Sequence, residues 1–314
     1  MRTKEPTSEV RSTSRTSFPG KQRVKDTQRF STISGLSSIL SSGVSHQIGK
    51  ASHRGKLRSS NEDSIATVEF TYILKSISYP IGLYLVSDGM GGLEGGEIAS
   101  GIAVTTIVNE ISQMLLQSGW LGLKNGTSNE DLQRVIENAV YLANDEILQR
   151  GQHSNKALGA TLTGALIIDR NAYIINVGDS RVYLFNENKG LQLITQDHSL
   201  VFRLYLMGHL KFEEIYNHPQ KSQILRSLGE AGLKENLEEM AIQDKHPYFY
   251  PQELGKDDVL LLCSDGLWQM VRDPKIETIL RRNPVPQIAC DKLVMLANEN
   301  GGEDNISVVV VKIA

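Results

Sequence analysis

Five aspartates stand where the chain could assemble metal chemistry. Asp88 and Asp265 each follow an apolar run and precede a glycine, and Asp179 lies just beyond a third such run. Asp63 and Asp304 belong to two further acidic clusters, Asn-Glu-Asp and Glu-Asp-Asn. Strands that end in carboxylates can bring them together from distant segments, but carboxylates so gathered repel each other unless cations lie between them. The pattern therefore predicts a site for hard, oxygen-preferring metal ions.

Hydrolysis of a phosphate monoester is a reaction that such a site could perform. The substrate is a dianion and water is a poor nucleophile, whereas two divalent ions about 4 Å apart can lower the pKa of a water between them and neutralise the phosphoryl oxygens. Asp88, Asp265 and Asp304 suit this task because each ends or begins an apolar strand. Gly89 has no side chain, so its carbonyl can approach an ion closely. The glycine-rich loop over residues 89–96 leads into a helix and could itself cradle phosphate.

The elements that would position these residues follow from the spacing of apolar side chains. Seven strands are predicted, over residues 64–70, 81–87, 160–168, 172–177, 182–186, 259–264 and 306–313. Four helices are predicted, over residues 97–116, 131–150, 274–282 and 286–298. Pairs of helices between groups of strands do not suit a regular β-α-β alternation. The order predicts an α+β fold of four layers, α-β-β-α, with two mostly antiparallel sheets packed face to face and flanked by helix pairs.

The chain divides into a tail and one domain. Residues 1–45 are rich in Ser and Thr, carry eight Lys or Arg against three acids, and contain few large apolar residues. Such a segment buries too little surface to offset its ordering entropy, which predicts a disordered, solvated tail. Docking on an acidic partner or a membrane surface, and phosphorylation, are the alternatives for the tail. Residues 46–314 are predicted to form the domain, with a flap beside the site at about residues 199–250.

Composition argues against several classes of function. The formal net charge of -3 over 314 residues gives no bias toward nucleic acid or anionic membranes. No stretch approaches the roughly 18 apolar residues of a membrane span, and residues 1–17 lack the apolar segment of a secretory signal. Cys263 and Cys290 lie in apolar surroundings and are expected to be buried, reduced thiols. A cytoplasmic monomer is the expectation.

Taken singly, each motif is also typical of a turn, but the ordered series resembles the metal-dependent type 2C family of serine/threonine protein phosphatases, in its bacterial, kinase-paired branch. The motifs that carry the resemblance are Arg58 to Asp63, Val86 to Gly92, Gly159 to Leu162, Asn176 to Arg181, Thr195 to Ser199, Cys263 to Leu267 and Gly301 to Ile306. Residues 217–220 and 226–229 are similar to the flap region of the bacterial branch. The resemblance covers roughly residues 46–314.

The resemblance implies a reaction and a cofactor. Members of that family hydrolyse phosphoserine and phosphothreonine in proteins with a water or hydroxide that bridges two Mn²⁺ or Mg²⁺ ions. By this resemblance Asp88 bridges both ions, the carbonyl of Gly89 binds one of them, and Asp265 and Asp304 complete the shell of the second ion. Asp179, together with Asp265, matches the pair that holds a third, weaker ion. The implied substrates are phosphorylated proteins, among them a serine/threonine kinase and its targets.

Further roles follow from the same resemblance. Arg58 would hold the substrate phosphate, a task that suits its forked guanidinium. Asp63 would be a supporting ligand that acts through water, while Glu62 and Asn305 would support the loops around the site. One departure concerns the proton donor, because animal members carry a histidine where this chain has Met90. That route to general acid catalysis is closed, which leaves a metal-bound water as a donor.

Two other functions stay open on the sequence alone. A non-catalytic phosphoprotein-binding pseudophosphatase would keep the fold, but degenerate members normally lose metal aspartates and this chain has lost none. A phosphatase of the sporulation and stress-response branch would apply the same chemistry to regulators in partner-switching circuits. The motifs Arg58 to Asp63 and Gly178 to Arg181 fit the kinase-paired branch better.

Overall fold

The computed structural model describes residues 44–74, 77–90, 95–117, 129–233 and 248–314. The strands in these ranges are β1 (His46–His53), β2 (Ser64–Leu74), β3 (Ile77–Ser87), β4 (Gly89–Met90), β5 (Gly159–Ala160), β6 (Leu162–Ile168), β7 (Asn171–Val177), β8 (Arg181–Asn186), β9 (Gly190–Leu193), β10 (Phe249–Glu253), β11 (Val259–Cys263) and β12 (Ile306–Ile313). The helices are α1 (Gly96–Gln117), α2 (Asn129–Ser154), α3 (Leu200–Leu206), α4 (Phe212–Ile215), α5 (Asp265–Trp268), α6 (Asp273–Arg282) and α7 (Pro286–Glu299).

Two five-stranded sheets form the centre of the domain. The first, here the β11 sheet, has the strand order β1-β12-β11-β8-β9, and the second, the β3 sheet, has the order β10-β7-β6-β3-β2. All neighbouring strands in both sheets are antiparallel. A short ladder of β4 and β5 extends from the end of β3. The predicted antiparallel arrangement is therefore confirmed.

Three apolar cores separate four layers. Side chains of both sheets, among them Tyr84, Ile174 and Val309, fill the space between the sheets. Helices α1 and α2 cover the outer face of the β3 sheet, and helices α6 and α7 cover the outer face of the β11 sheet. Because burial of apolar surface is the main favourable term in folding, these cores hold the layers together. The α-β-β-α architecture predicted from the sequence is confirmed.

Strand β12 shows how the sequence specifies a layer with a core on each side. Seven of its eight residues are buried, and successive side chains point to opposite faces of the sheet. Val308 and Val310 face the core under helices α6 and α7, whereas Val309 and Val311 face the core between the sheets. A continuous apolar run, rather than an alternating one, is the consequence of burial on both faces.

The predicted elements coincide with observed ones except at their ends. The run predicted as one strand over residues 160–168 is two strands, β5 and β6, that are interrupted at Thr161. Strands β1, β9 and β10 were not predicted. Strand β1 mixes polar residues and glycine and contributes only an edge to the β11 sheet, which explains why its apolar pattern is weak.

The tail and flap boundaries require adjustment. Residues 1–43 of the predicted tail lie outside the described residues, but Val44 is buried between the sheets and Ser45 exchanges two backbone hydrogen bonds with Ala314. Within the predicted flap, helices α3 and α4 pack through Val201, Phe202 and Ile215 into the core on the outer face of the β11 sheet, and residues 234–247 lie outside the described part. Phe249 and Tyr250 pair with strand β7 and so belong to the β3 sheet, because their backbone groups complete its edge.

Helix α1 is the one candidate membrane span among the residues that the structure describes. By length and composition, Gly96–Leu116 could cross a membrane, so the expectation that no segment approaches a span does not hold on that criterion. Ala99, Ala103 and Ile107 of this helix are buried against the β3 sheet. Such packing is that of a core helix in a globular domain.

Replacement of Gly49 by alanine is expected to destabilise the fold. A methyl group there would lie 2.3 Å from the backbone carbon of Pro286, so the first turn of helix α7 would have to move away from strand β1. Overpacking of this kind costs about 1–3 kcal/mol of unfolding free energy. Urea unfolding of Gly49→Ala measures the loss.

Gly101→Ala is the matched control for this substitution. Gly101 lies inside helix α1, and a methyl group there meets nothing within 4 Å. Alanine is favoured over glycine within helices, so this variant is expected to gain about 0.5–1 kcal/mol. Equal urea midpoints of unfolding for Gly49→Ala and Gly101→Ala would contradict the close contact between β1 and α7.

Candidate functional site

The five aspartates lie at one end of the two sheets. In the β3 sheet, Ser64 pairs with Ser87, so Asp63 before β2 and Asp88 after β3 are neighbours. The pairing of Cys263 with both Val308 and Arg181 places the end of β11 beside the starts of β12 and β8 in the β11 sheet. Asp265, Asp304 and Asp179 therefore share that end.

A hydrogen bond joins the two sheets at the cluster. Ser264, which follows β11, donates through its hydroxyl to Asp63 Oδ2 at 2.8 Å. Asp88 is fixed through its backbone, because its N–H donates to Thr161 Oγ1 at 2.9 Å and its carbonyl accepts from the Thr161 N–H at 2.8 Å. These contacts hold the peptide units on both sides of Asp88 and do not involve its carboxylate.

Burial raises the pKa values of four carboxyl groups in the cluster, those of Asp63, Asp88, Asp179 and Asp265. Loss of water is the main cause at each of them, and the neighbouring carboxylates raise the values further. The pKa of Asp63 is raised to about 7 and that of Asp265 to about 6. The pKa values of Asp88 and Asp179 are raised well above the usual range of an aspartate. Without a cation, the cluster therefore retains protons that a bound divalent ion would displace.

The oxygens that lack hydrogen-bond partners fit a cation site. Asp63 Oδ1, Asp265 Oδ1 and both carboxylate oxygens of Asp179 are buried and have no partner among the described residues. A buried polar atom without a partner is costly, and an ion is one of the accepted explanations for it. Carboxylate oxygens are also the ligands that Mg²⁺, Mn²⁺ and Ca²⁺ prefer. The donor set thus fits hard divalent ions.

Two of the carboxylates already accept hydrogen bonds from neighbouring side chains. Arg58 donates to Asp304 Oδ2 at 2.6 Å, and Gln269 donates to Asp265 Oδ2 at 2.7 Å. Correspondingly, no three His, Cys, Asp or Glu side chains in the described ranges already enclose a common ion-sized point. The other oxygen of Asp304, Oδ1, accepts from the Asn305 N–H at 2.8 Å, so both oxygens of this carboxylate already have a donor.

Asn305 holds the loop that carries Arg58. Its Oδ1 accepts from the Glu62 N–H at 2.7 Å, and its Nδ2 donates to the carbonyls of Arg54 and Ser60, both at 2.9 Å. The side chain thereby satisfies three backbone groups of the segment between β1 and β2. The loop is held against the start of β12, next to Asp304.

Gly89 lies where a side chain could not fit. A methyl group at this position would be 2.0 Å from the carbonyl oxygen of Gly96 and 2.6 Å from that of Glu62. The carbonyl of Glu62 also accepts from the Gly89 N–H at 3.2 Å and from the Ser100 hydroxyl at 2.6 Å. The start of helix α1, strand β4 and the 54–62 loop consequently approach one another too closely at Gly89 for a side chain at that position. Residues 91–94 of the glycine-rich loop lie outside the described residues.

The sequence prediction missed several residues that contact the candidate ligands. Thr161 and Ser264 lie within recognised motifs, but nothing in their spacing indicated that they hold Asp88 and Asp63. Gln269, four residues after Asp265 on the same helical turn, could have been found from that spacing. The Nζ atom of Lys221, in the predicted flap, lies 3.8 Å from Oε2 of Glu303, the residue before Asp304. No local pattern predicted that ion pair.

Comparison with known proteins shows the family to which the chain is similar. The sequence pattern of the family described as "Protein phosphatase 2C" matches residues 59–283. The chain is 33% identical to the serine/threonine phosphatase stp of Listeria monocytogenes over 261 residues, which cover 82% of this chain and 92% of that protein. It is 35% identical to the protein phosphatase PhpP of Streptococcus pneumoniae over 230 residues, which cover 73% of this chain and 85% of that protein.

Solved structures show the same fold. The serine/threonine phosphatase of S. agalactiae superposes with a TM-score of 0.69 at 28% identity and covers 85% of this chain and 99% of its own. The catalytic domain of the phosphatase PstP, solved with two manganese ions, superposes with a TM-score of 0.65 at 27% identity and covers 86% of this chain and 99% of its own. Both structures extend over the domain that carries the carboxylate cluster.

Metal-free protein is expected to lose stability as the pH rises from about 4 to about 7. The folded-state pKa of Asp63, about 7, lies above its ordinary value of 3.8, so in this interval the folded protein binds more protons than the unfolded chain. The unfolding free energy then falls with pH, by up to ~1.4 kcal/mol per pH unit for one such carboxyl group. Asp63→Asn removes this contribution.

The difference in unfolding free energy between wild type and Asp63→Asn isolates that carboxyl group from others that titrate. Urea unfolding in EDTA at about pH 4 and at about pH 7 measures it, and the stability of the wild type relative to the variant is expected to be lower at the higher pH. A difference that is constant or rises with pH would show that burial does not raise this pKa.

Proposed function

The chain belongs to the protein phosphatase 2C family, and we propose that it hydrolyses phosphoserine and phosphothreonine monoesters of proteins at the carboxylate cluster around Asp88. One observation carries the proposal: carboxylates from five separate segments meet at one end of the sandwich, where buried oxygens of three of them lack partners. The relatives named above are serine/threonine phosphatases, which supports the same substrate class for this chain.

We propose that Asp88, the Gly89 carbonyl, Asp265 and Asp304 hold two divalent ions, Mn²⁺ or Mg²⁺, and that Asp179 shares a third, weaker ion with Asp265. The unpartnered oxygens of Asp265 and Asp179 support these assignments. When bound, the ions supply Lewis acidity, which lowers the pKa of water and neutralises charge on the phosphoryl oxygens.

Asp63 acts as a supporting ligand in this proposal. One of its oxygens accepts from Ser264 and the other is unpartnered, so the side chain has a fixed direction and one free acceptor. Asn305 and Glu62 support the site by holding the loop between β1 and β2 against the start of β12. The Asn305 side chain contacts backbone groups and Glu62 takes part through its own backbone, which suits a structural role rather than contact with substrate.

Arg58 binds the substrate phosphate in this proposal. Its side chain is half exposed and lies next to the cluster, where a guanidinium can donate two parallel hydrogen bonds to phosphate oxygens. In the present arrangement Asp304 accepts from it. If Asp304 were to bind a cation in place of the guanidinium, Arg58 would be free to donate to the phosphate.

The proton for the leaving alcohol does not come from Met90 in this scheme. Met90 pairs with Gly159 in the short ladder beside the cluster, and a thioether carries no proton to donate. We therefore assign the donor to water. We further propose that the substrates include a serine/threonine kinase and its targets, and that the protein acts as a cytoplasmic monomer. The motifs shared with the kinase-paired branch support the choice of substrates.

Asp88→Asn and Asp265→Asn are each expected to reduce kcat/KM for a phosphothreonine peptide by about 10²-fold or more, because loss of even an outer partner of a metal site costs about 10–100-fold. Initial rates with added Mn²⁺ measure the effect. EDTA is expected to abolish wild-type activity, and excess Mn²⁺ to restore it.

Asp257→Asn is the control for these two variants. Asp257 is exposed, precedes β11 at the opposite end from Asp265, and has a positive φ of 66°, a conformation that asparagine tolerates well. This variant is expected to keep wild-type activity. Undiminished turnover in Asp88→Asn and Asp265→Asn would refute the metal cluster, and tight binding of phosphopeptide without turnover at any metal concentration would favour the pseudophosphatase.

Arg58→Ala is expected to lower kcat/KM for the phosphopeptide by about 10–100-fold, since hydrogen bonds to charged groups contribute about 1.5–3 kcal/mol. Arg58→Lys keeps the positive charge but loses the planar pair of donors, so a kcat/KM between those of the wild type and Arg58→Ala is expected. The number of bound Mn²⁺ ions, measured by equilibrium dialysis, is expected to match the wild type in both variants. Unchanged kcat/KM in Arg58→Ala would remove this residue from the phosphate site.

A further inference from the structure

A buried arginine side chain lies directly behind the carboxylate cluster. Arg181, two residues after Asp179, is fully buried and forms a two-pronged ion pair with Asp197 at 2.7 and 2.9 Å. Its Nη1 donates to the Tyr183 hydroxyl at 3.0 Å. The guanidinium carbon stands 3.7 Å from the centre of the Trp268 ring, within the range of a cation–π contact. A charge this deep is stable only with such partners, so its position is tightly defined.

Trp268 contacts the segment of Asp179 in two ways. Its indole N–H donates to the backbone carbonyl of Asp179 at 2.9 Å, and its ring faces Arg181 in the same turn. Trp268 is also the last residue of helix α5, the single turn that begins with Asp265. One buried side chain therefore joins the two segments that carry Asp179 and Asp265.

The hydrogen bond from the Trp268 indole fixes the backbone of Asp179 and does not involve its side chain. The carbonyl of Asp179 has the indole as its donor, whereas both carboxylate oxygens are buried without a partner. A metal-binding residue whose main chain is fixed and whose carboxylate oxygens have no partner can bind an ion with little change of structure.

We propose that Trp268 is a positioning residue, which sets the separation between the carboxylates of Asp179 and Asp265 and so determines the affinity of the weaker third ion. The proposal rests on the proposed function, in which these two residues share that ion. Trp268 itself touches neither ion nor substrate. Its effect is therefore expected on the weak site alone and not on the pair of tightly bound ions.

Trp268→Phe tests the inference. Phenylalanine keeps a ring against Arg181 but cannot donate to Asp179, and loss of one hydrogen bond of about 1 kcal/mol corresponds to an affinity change of about tenfold or less. Free Mn²⁺ measured by electron paramagnetic resonance in a titration gives the affinities of tight and weak sites separately. The weak-site dissociation constant is expected to rise about fivefold, with the tight sites unchanged.

Tyr216→Phe is the matched control. Its ring packs against Trp268 at 5.9 Å between centroids, and its hydroxyl donates to Asp273 rather than to Asp179. The variant disturbs the same buried network without loss of the indole contact, so the weak site is expected to keep its wild-type affinity. Melting temperatures in EDTA show whether both variants fold.

A second measurement does not depend on the stability of Trp268→Phe. The chain has only two tryptophans, Trp120 and Trp268, so Trp120→Phe leaves a single indole N–H signal in a nitrogen-15 NMR spectrum. During titration with Mg²⁺, that signal is expected to move over the concentration range in which the weak site fills. A signal that stays still in that range would overturn the proposal.

The outcomes separate this inference from the proposed function. A weak-site affinity in Trp268→Phe equal to the wild type, equal weakening of all sites, or a wild-type protein that binds only two ions would each overturn the positioning role and leave the two-ion phosphatase intact. A wild-type protein that binds no Mn²⁺ tightly and does not hydrolyse the phosphothreonine peptide would instead overturn the proposed function.

Discussion

Repulsion among buried carboxylates is the constraint on which the rest of this structure depends. The strand ends bring Asp88 close enough to the other aspartates for each to raise its pKa, in surroundings that water does not screen well. A fold that stored only repulsion there would gain by moving these residues apart. The rigid sheets determine where the strands end and therefore where the carboxylates lie. The favourable free energy of the three apolar cores offsets the cost of their repulsion.

Three of the surrounding contacts hold the main chain and do not engage the carboxylate oxygens. Thr161 fixes the backbone of Asp88, Trp268 fixes that of Asp179, and Asn305 fixes the loop beside Asp304. Positions are thereby set by neutral donors and acceptors that do not compete for the acidic oxygens. A site built in this way can exchange protons for cations with little movement of the chain.

Most of the fold and the acidic residues of the site could be predicted because an apolar run buried on both faces, such as β12, can be recognised without knowledge of its neighbours. Strand β1 could not, since it owes its place to pairing with β12 rather than to its own pattern. The burial of Arg181 could not be predicted either. Its burial depends on Asp197 and Trp268, which lie 16 and 87 residues further along the chain, and local sequence carries no trace of such contacts.

The pairing of Arg58 with Asp304 has a thermodynamic consequence if the proposed roles hold. Asp304 accepts from the guanidinium; if it binds only one of the two partners at a time, a phosphate on Arg58 would free Asp304, and a cation on Asp304 would free Arg58. By linkage, each ligand then strengthens the other by the same factor, whatever the order of arrival. Substrate would thus act as an effector of cation affinity, and product departure would loosen the cation in turn.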